Sequence, residues 1–280
     1  MNLFQLSLLS VAFATFLWWF STGVIFYLNA RPAHTFRWSL LAGSVLSIVA
    51  LLGLWHSARE LSVPNVFVSF LCGLVIWGWH TMSYYMGIIT GPQRDPCPET
   101  CTGLMRFCRA AATSLHHEFA ILATAALIVA LSWSQPNTFG LWTFLLLWGM
   151  HLSAKLNVFL GVRNLNVEFI PQRLRYLTSY FRQASMNLLF PVSVTLGTVV
   201  TVVLVQKAIQ ANPHMPSAAG YFLLATLAGL AVIEHWFMML PVRAEALWSW
   251  SLRQAHGRDH ARPETNHQSL VQQSSLKPRA

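Results

Sequence analysis

The sequence predicts an all-α, polytopic membrane protein built from about seven transmembrane helices. Three observations carry that prediction. Hydrophobic residues fill 55% of the 280 positions and charged residues only 10%, a balance that a water-soluble domain of this size does not show. Seven apolar stretches reach the roughly 20 residues that a helix needs to cross a bilayer. Finally, Lys and Arg fall almost entirely in alternate connections between those stretches.

In chain order the spans are expected at 3–29, 39–57, 65–89, 111–133, 139–161, 188–210 and 219–241, inside a membrane domain of residues 1–252. The first stretch lacks a basic leader and has no small-residue cleavage site before Arg31, so it reads as a span and not as a signal peptide. Of the 18 Lys and Arg, all but three lie after spans one, three, five and seven. Arg59 and Lys207 lie on the opposite side, and Lys155 lies within the fifth span. Because cytoplasmic loops carry the basic excess, the N-terminus is expected outside and the C-terminus in the cytoplasm. An odd number of spans agrees with that placement. The net charge of +9 is then a property of one membrane face, so the expected partner is the lipid bilayer and not nucleic acid. The 12 Trp suit interfacial belts and apolar helix packing.

Three polar segments share the basic side. GPQRDPCPETCTG is a Pro-rich turn holding Cys97 and Cys101, with Cys108 beyond it and Cys72 inside the third span. Such thiols are the start of a zinc site, but structural zinc takes four ligands in paired spacing and no second pair follows. A reduced, exposed turn is the plainer reading. Near 171–183, PQRLRYLTSYFRQ places Leu174, Leu177, Tyr180 and Phe181 on one side with arginines around them. That pattern is an amphipathic helix, lying in the headgroup region or docked on a partner subunit. Residues 253–280 lack a hydrophobic period and read as a polar, disordered cytoplasmic tail.

The unusual feature is a layer of ionisable residues inside the spans. The third span holds His80, and the fourth begins with His116, His117 and Glu118. The fifth carries His151 and Lys155, which are four apart and share a helical face, and the seventh ends with Glu234 and His235. Intramembrane ionisable groups face the protein interior or a cavity and have partners. The simplest use is mutual neutralisation, Lys155 pairing with Glu118 or Glu234 while the imidazoles act as polar glue between helices.

A second use is a transition-metal site drawn from His80, His116, His117, Glu118, His151, Glu234 and His235. The adjacent His–Glu pairs weaken it, since neighbours on a helix point about 100 degrees apart. A third is axial ligation of a tetrapyrrole cofactor by His80, His117, His151 or His235, favoured by the aromatic wall of WGWHTMSYY. A proton or ion path is the fourth. The chain has no Gly-x-Ser-x-Gly, no P-loop and no dinucleotide glycine fingerprint, and no enzymatic reaction is assigned by its motifs.

Several segments resemble one family. FLWWFSTG, CGLVIWGWH, TGPQRDPCP with Cys101, LSAKLNVFLGVRNLNVEFIP, LRYLTSYF, MNLLFPVSV and AVIEHWF, spread from about Leu17 to about Trp250, look like the PuhE family of photosynthetic complex assembly proteins of phototrophic bacteria. The resemblance implies a multi-pass protein of the bacterial inner membrane or its intracytoplasmic photosynthetic extension. It implies reaction-centre or core-antenna subunits and other assembly factors as partners, and a link to bacteriochlorophyll supply. It implies no reaction. The sequence therefore reads as an assembly factor for the reaction centre and core light-harvesting complex. The alternatives are a membrane metalloenzyme acting on a tetrapyrrole or other lipophilic substrate through the His/Glu layer, and a purely structural assembly subunit.

Overall fold

Seven helices of 18 to 27 residues match the bilayer in length because their sequences are apolar almost all round. The computed structural model describes residues 2–251 apart from 166, 168, 169, 212–214 and 243. The tail expected at 253–280 lies outside the described residues. The spans are α1 (Leu3–Asn29), α2 (Phe36–Ala58), α3 (Val63–Tyr85), α5 (Leu115–Ser132), α6 (Phe139–Leu160), α7 (Leu189–Gln210) and α8 (Met215–Phe237), and a short helix, α4 (Gly103–Ala112), precedes α5. All seven are long and apolar enough to cross a membrane, so the protein is a polytopic helical bundle.

Local chemistry sets the ends. Asn2 caps α1 in a capping box, its side chain accepting from the Gln5 amide at 2.8 Å while Gln5 accepts from the Asn2 amide at 3.0 Å. Gly87, at φ 72°, turns the chain out of α3 four residues earlier than the hydropathy predicts. Span four also starts four residues late, because 103–112 fold as α4 and the chain breaks at Thr113 and Ser114. The last turn of α8 tightens through Met238 and Met239 amides onto the His235 and Trp236 carbonyls, and Pro241 follows.

α3 and α8 are the most buried spans and form the axis of the bundle. α3 touches α1, α2, α5, α6 and α8, and α8 touches α1, α3, α6 and α7. On the side opposite the basic loops, Leu6, Phe70, Phe139 and Leu223 pack in one cluster. A second cluster, centred on Leu54, Ile76, Ile121 and Phe144, joins α2, α3, α5 and α6. α3 and α6 meet backbone to backbone: a Cβ on Gly73 would lie 2.6 Å from the Gly140 carbonyl, and one on Gly140 would lie 2.6 Å from the Ser69 hydroxyl. Small residues at such a crossing are how membrane helices gain packing where lipid offers no hydrophobic drive. The outer faces of α2 and α7 expose Val45, Ile48, Leu52, Val192, Leu196 and Val199 to the lipid position.

The basic side carries a roof. Gln172–Tyr180 is a 3-10 segment whose Leu174, Leu177 and Tyr180 are buried, the two leucines against Tyr84. Its apolar side turns into the protein, while α4 exposes Leu104, Met105 and Phe107 beside Arg106 and Arg109. Arg106 donates to the Tyr180 carbonyl and Tyr180 Oη donates to the Asp95 carbonyl at 2.9 Å. Burial pushes the Tyr180 phenol above its usual pKa, so it remains a donor. Cys97 donates its amide to Ser179 at 2.8 Å, and Arg173 ties the segment to the Asn29 carbonyl at 2.8 Å.

Candidate functional site: an ion pair and three imidazoles beneath the roof

Helices α3, α5 and α6 converge just under the 3-10 segment. Because the helix ends fall inside the hydropathic limits, His80 stands about 7 Å from the end of α3 and His117 about 3 Å from the start of α5, at 1.5 Å per residue. The roof, and not membrane depth alone, removes them from water.

Lys155 of α6 settles on Glu118 of α5, Nζ to Oε1 at 2.6 Å, and donates a second bond to Ser114 at 2.8 Å. Trp148 Nε1 donates to the other carboxylate oxygen at 3.1 Å, and Nζ lies 5.5 Å from the centre of the Tyr84 ring. Glu118 is thus the partner of Lys155, and Glu234 is not. The pair is neutral as a unit, which is what allows two charges to persist there.

Beside the pair runs a row of imidazoles. His117 lies 6.2 Å from His80 and 6.1 Å from His151, ring centre to ring centre, with Tyr84 4.6 Å from His117 and Trp77 5.4 Å from His151. His80 Nε2 meets Thr124 Oγ1 at 3.0 Å. His80 Nδ1, His117 Nδ1 and His151 Nε2 are buried with no hydrogen-bond partner. Each such nitrogen costs on the order of 1–3 kcal/mol unless something satisfies it. Three of them in one row make this cluster the candidate binding site.

His117, Glu118 and His151 each bring one ligand atom within 4.8 Å of the others. Neighbouring residues of α5 therefore do reach one point, against the angular expectation, because His151 meets them from α6. The carboxylate is already engaged by Lys155 and Trp148, whose donation opposes a cation at the same oxygens. His116 is exposed on the outer face of α5 and joins none of this. Among the described residues Cys97, Cys101 and Cys108 form no ligand group with a third residue; Cys97 Sγ instead contacts the Cys101 carbonyl at 3.8 Å.

Glu234 and His235 stand apart from the cluster. Trp18 Nε1 of α1 donates to Glu234 at 2.8 Å. His235 bonds the Ala231 carbonyl through Nδ1 at 2.8 Å, which makes Nδ1 the N–H, so Nε2 accepts from Ser153 at 2.9 Å. Both its nitrogens are used, which makes His235 a helix-joining residue and leaves no ligand atom. The layer expected from four spans is two sites, α3/α5/α6 and α1/α8.

Two adjoining cavities open from these groups. The larger, about 550 Å³, is walled by Glu118, Lys155, Phe107, Phe159, Tyr180 and other largely apolar side chains. The smaller, about 360 Å³, lies between α1, α3, α6 and α8 around Glu234. Tyr85, His151, Ala154 and Met238 line both. Their size and apolar walls with a few convergent polar groups are those of ligand pockets. Ser114, Thr124, Ser153 and Trp18 are site residues that composition did not single out. Spacing was a signal for one of them, since Thr124 follows His117 by seven on one face of α5.

Seven spans around a buried ion pair and a row of imidazoles define a polytopic helical membrane protein with an intramembrane polar site. The chain belongs to the DUF3623 family, a protein of unknown function by its description, whose model matches residues 4–259. It is similar to an uncharacterized 30.4 kDa protein in the puhA 5′ region of Rhodobacter capsulatus, at 41% identity over 243 residues, 85% of this chain and 88% of the relative. No solved structure matches the chain.

Proposed function

We propose that this protein is a factor of the bacterial inner membrane that assists assembly of the photosynthetic reaction centre and core light-harvesting complex, handling a tetrapyrrole pigment as it does so. The observation that carries this reading is the larger cavity with His151 on its wall, an imidazole whose Nε2 is buried and unpartnered. Support for the process comes from the relative encoded in the puhA 5′ region, a photosynthesis gene region, and from the resemblance to the PuhE family. Reaction-centre or antenna subunits and other assembly factors are the partners on this reading, in the inner membrane or its intracytoplasmic extension.

The residues present fit such a group. A neutral imidazole with a free ring nitrogen beside an apolar cavity supplies an axial ligand, and Trp77, Tyr84 and Phe144 form aromatic surroundings for the row. Bacteriochlorophyll or another tetrapyrrole would bring its own metal and its light-absorbing ring. The chain's part is to hold and orient it: His151 as ligand, His80 and His117 as neighbours, Ser114 and Lys155 as donors at the polar wall. Holding and release need no catalysis, and the function proposed is not enzymatic.

A second reading, a membrane metalloenzyme acting on a lipophilic substrate, is favoured by His117, Glu118 and His151 lying within 4.8 Å. It requires Lys155 to leave Glu118. One preparation separates the readings. The full-length protein is purified from a phototrophic host in mild detergent, and its visible spectrum and metal content are measured. Co-purifying pigment that is lost in His151→Ala, in a variant that still accumulates, is the expected result. Stoichiometric iron, manganese or zinc without pigment selects the enzyme. Neither pigment nor metal, with His151→Ala lowering stability alone, rejects both and leaves a structural assembly subunit.

A further inference from the structure

The second cavity makes a different chemical demand. Glu234 is exposed on its wall and, among the described residues, its carboxylate accepts one side-chain hydrogen bond, from Trp18 Nε1 at 2.8 Å. Trp18, Phe26, Trp77, Tyr85 and Trp248 line the same cavity. Trp248 is packed edge-on against Trp18 at 5.4 Å and against Phe26 at 5.6 Å, so the aromatic wall is held in place. Among the described residues that line the cavity there is no Lys or Arg. Lys155 faces the neighbouring cavity and is committed to Glu118, both nitrogens of His235 are taken, and among the described residues no ion pair joins His151, which also lines this cavity, to Glu234. An ionised carboxylate beside an apolar wall gains from a counter-charge.

We propose that this cavity binds an organic ammonium group, with Glu234 as the counter-ion and the aromatic rings as the cage. An alkylammonium fits both halves of the site: its charge is attracted by the carboxylate and by ring faces, and its alkyl substituents are compatible with an apolar wall. A hydrated metal cation gains nothing from five aromatic rings. The ammonium can come from a free amine or from the headgroup of a zwitterionic phospholipid, since Glu234 lies three residues from the end of α8 on the loop side. The proposal is independent of the pigment reading, because it uses no nitrogen of the imidazole row.

The test uses the full-length protein in a non-ionic maltoside detergent. Tryptophan emission and melting temperature are followed on titration with choline chloride and ethanolamine hydrochloride, against sodium chloride at equal ionic strength. Phospholipids that survive purification are identified in parallel by mass spectrometry. A saturable emission change with either amine, weakened about tenfold or more in Glu234→Gln, is the expected result, a tenfold change being about 1.4 kcal/mol and within the range of a desolvated cation–π contact with its counter-ion. If instead a phosphatidylcholine or phosphatidylethanolamine co-purifies with wild type and is absent from Glu234→Gln, the source is lipid and the proposal stands. No saturable response to either amine, with no zwitterionic lipid retained, overturns it. So does binding that is unchanged in Glu234→Gln. Should that variant fail to accumulate, Glu234→Ala removes the charge without leaving an amide in its place, and unweakened binding in it rejects the carboxylate as the anchor.

Discussion

Lys155 is the residue on which the interior of the protein turns, because its charge is tolerable only while Glu118 faces it. Replacing it with Met leaves a carboxylate beneath the roof with Ser114 and Trp148 as its company. Removing one partner of a buried pair costs about 3–5 kcal/mol. The lower end applies here, since the two side chains keep 30% and 21% of their exposure. Replacing both, as Lys155→Met with Glu118→Leu, removes the uncompensated charge and is expected to recover most of that loss. Thermal unfolding of the purified protein in detergent, followed for the two single variants and the double, checks the sign of the coupling. A double variant as unstable as the sum of the singles contradicts the pairing. Spacing along the chain gave two acceptors for Lys155, Glu118 and Glu234, and could not choose between them. That choice depends on how α5 and α8 rotate about their axes, which is fixed by packing partners far away in sequence. The row of imidazoles was legible as a set of residue types, but its membership was not, for the same reason. His116 and His117 are indistinguishable neighbours in sequence, yet the first is exposed and the second buried.

At the scale of the element, the seven spans were legible almost to the residue at α1, α6 and α7, where the hydropathic run and the hydrogen-bonded helix end together. They were not at α3, α5 and α8. There hydrophobic residues continue past the helix, into the turn at Gly87, into α4, and into the buried Met238 and Met239. α4 itself was missed because its apolar and basic residues sit inside a segment dominated by proline and cysteine signals. The stretch LSAKLNVFLGVRN, the most distinctive in the chain, proves to be a set of ties between helices. Asn157 donates to the Ser193 hydroxyl at 3.0 Å and accepts from Asn187 at 3.1 Å, and Asn187 in turn accepts from the first amides of α7. Asn164 donates to the Phe237 and Leu240 carbonyls at the end of α8. Intramembrane Asn is therefore glue here, and the ion pair shares its helix with scaffolding. The contact of α3 with α6 gives a paired test on one helix. Gly140→Ala drives a methyl into Ser69 and is expected to cost about 1–3 kcal/mol as overpacking, whereas Gly149, with open space around it, accepts Ala with no loss or a gain of up to about 1 kcal/mol. Melting temperatures of the two variants in the same detergent decide it, and equal values would show that the α3/α6 crossing is looser than its backbone approach.

For the whole molecule the open quantity is direction. The bundle has one face with α4, the roof and most of the arginines, and an opposite face where Arg59 lies 3.6 Å from the centre of the Trp55 ring and Lys207 5.8 Å from that of Tyr221. Cations on aromatic rings suit an interfacial belt, and the face with so few of them is the one expected to be translocated. The basic face is therefore expected in the cytoplasm, with the N-terminus outside. Cys108, exposed on α4, and the half-buried Cys97 on the same face are native reporters for the first statement, since Cys72 and Cys101 are buried. A membrane-impermeant maleimide applied to intact spheroplasts should leave the wild-type protein unlabelled and should label it after permeabilisation. Glu60→Cys, at an exposed position between α2 and α3, should be labelled in intact spheroplasts, and replacing both Cys97 and Cys108 with Ala should abolish only the signal that needs permeabilisation. Labelling of Cys108 from outside would invert the bundle. It would also put the ion pair, the imidazole row and both cavities in the outer half of the membrane, out of reach of any ligand delivered from the cytoplasm.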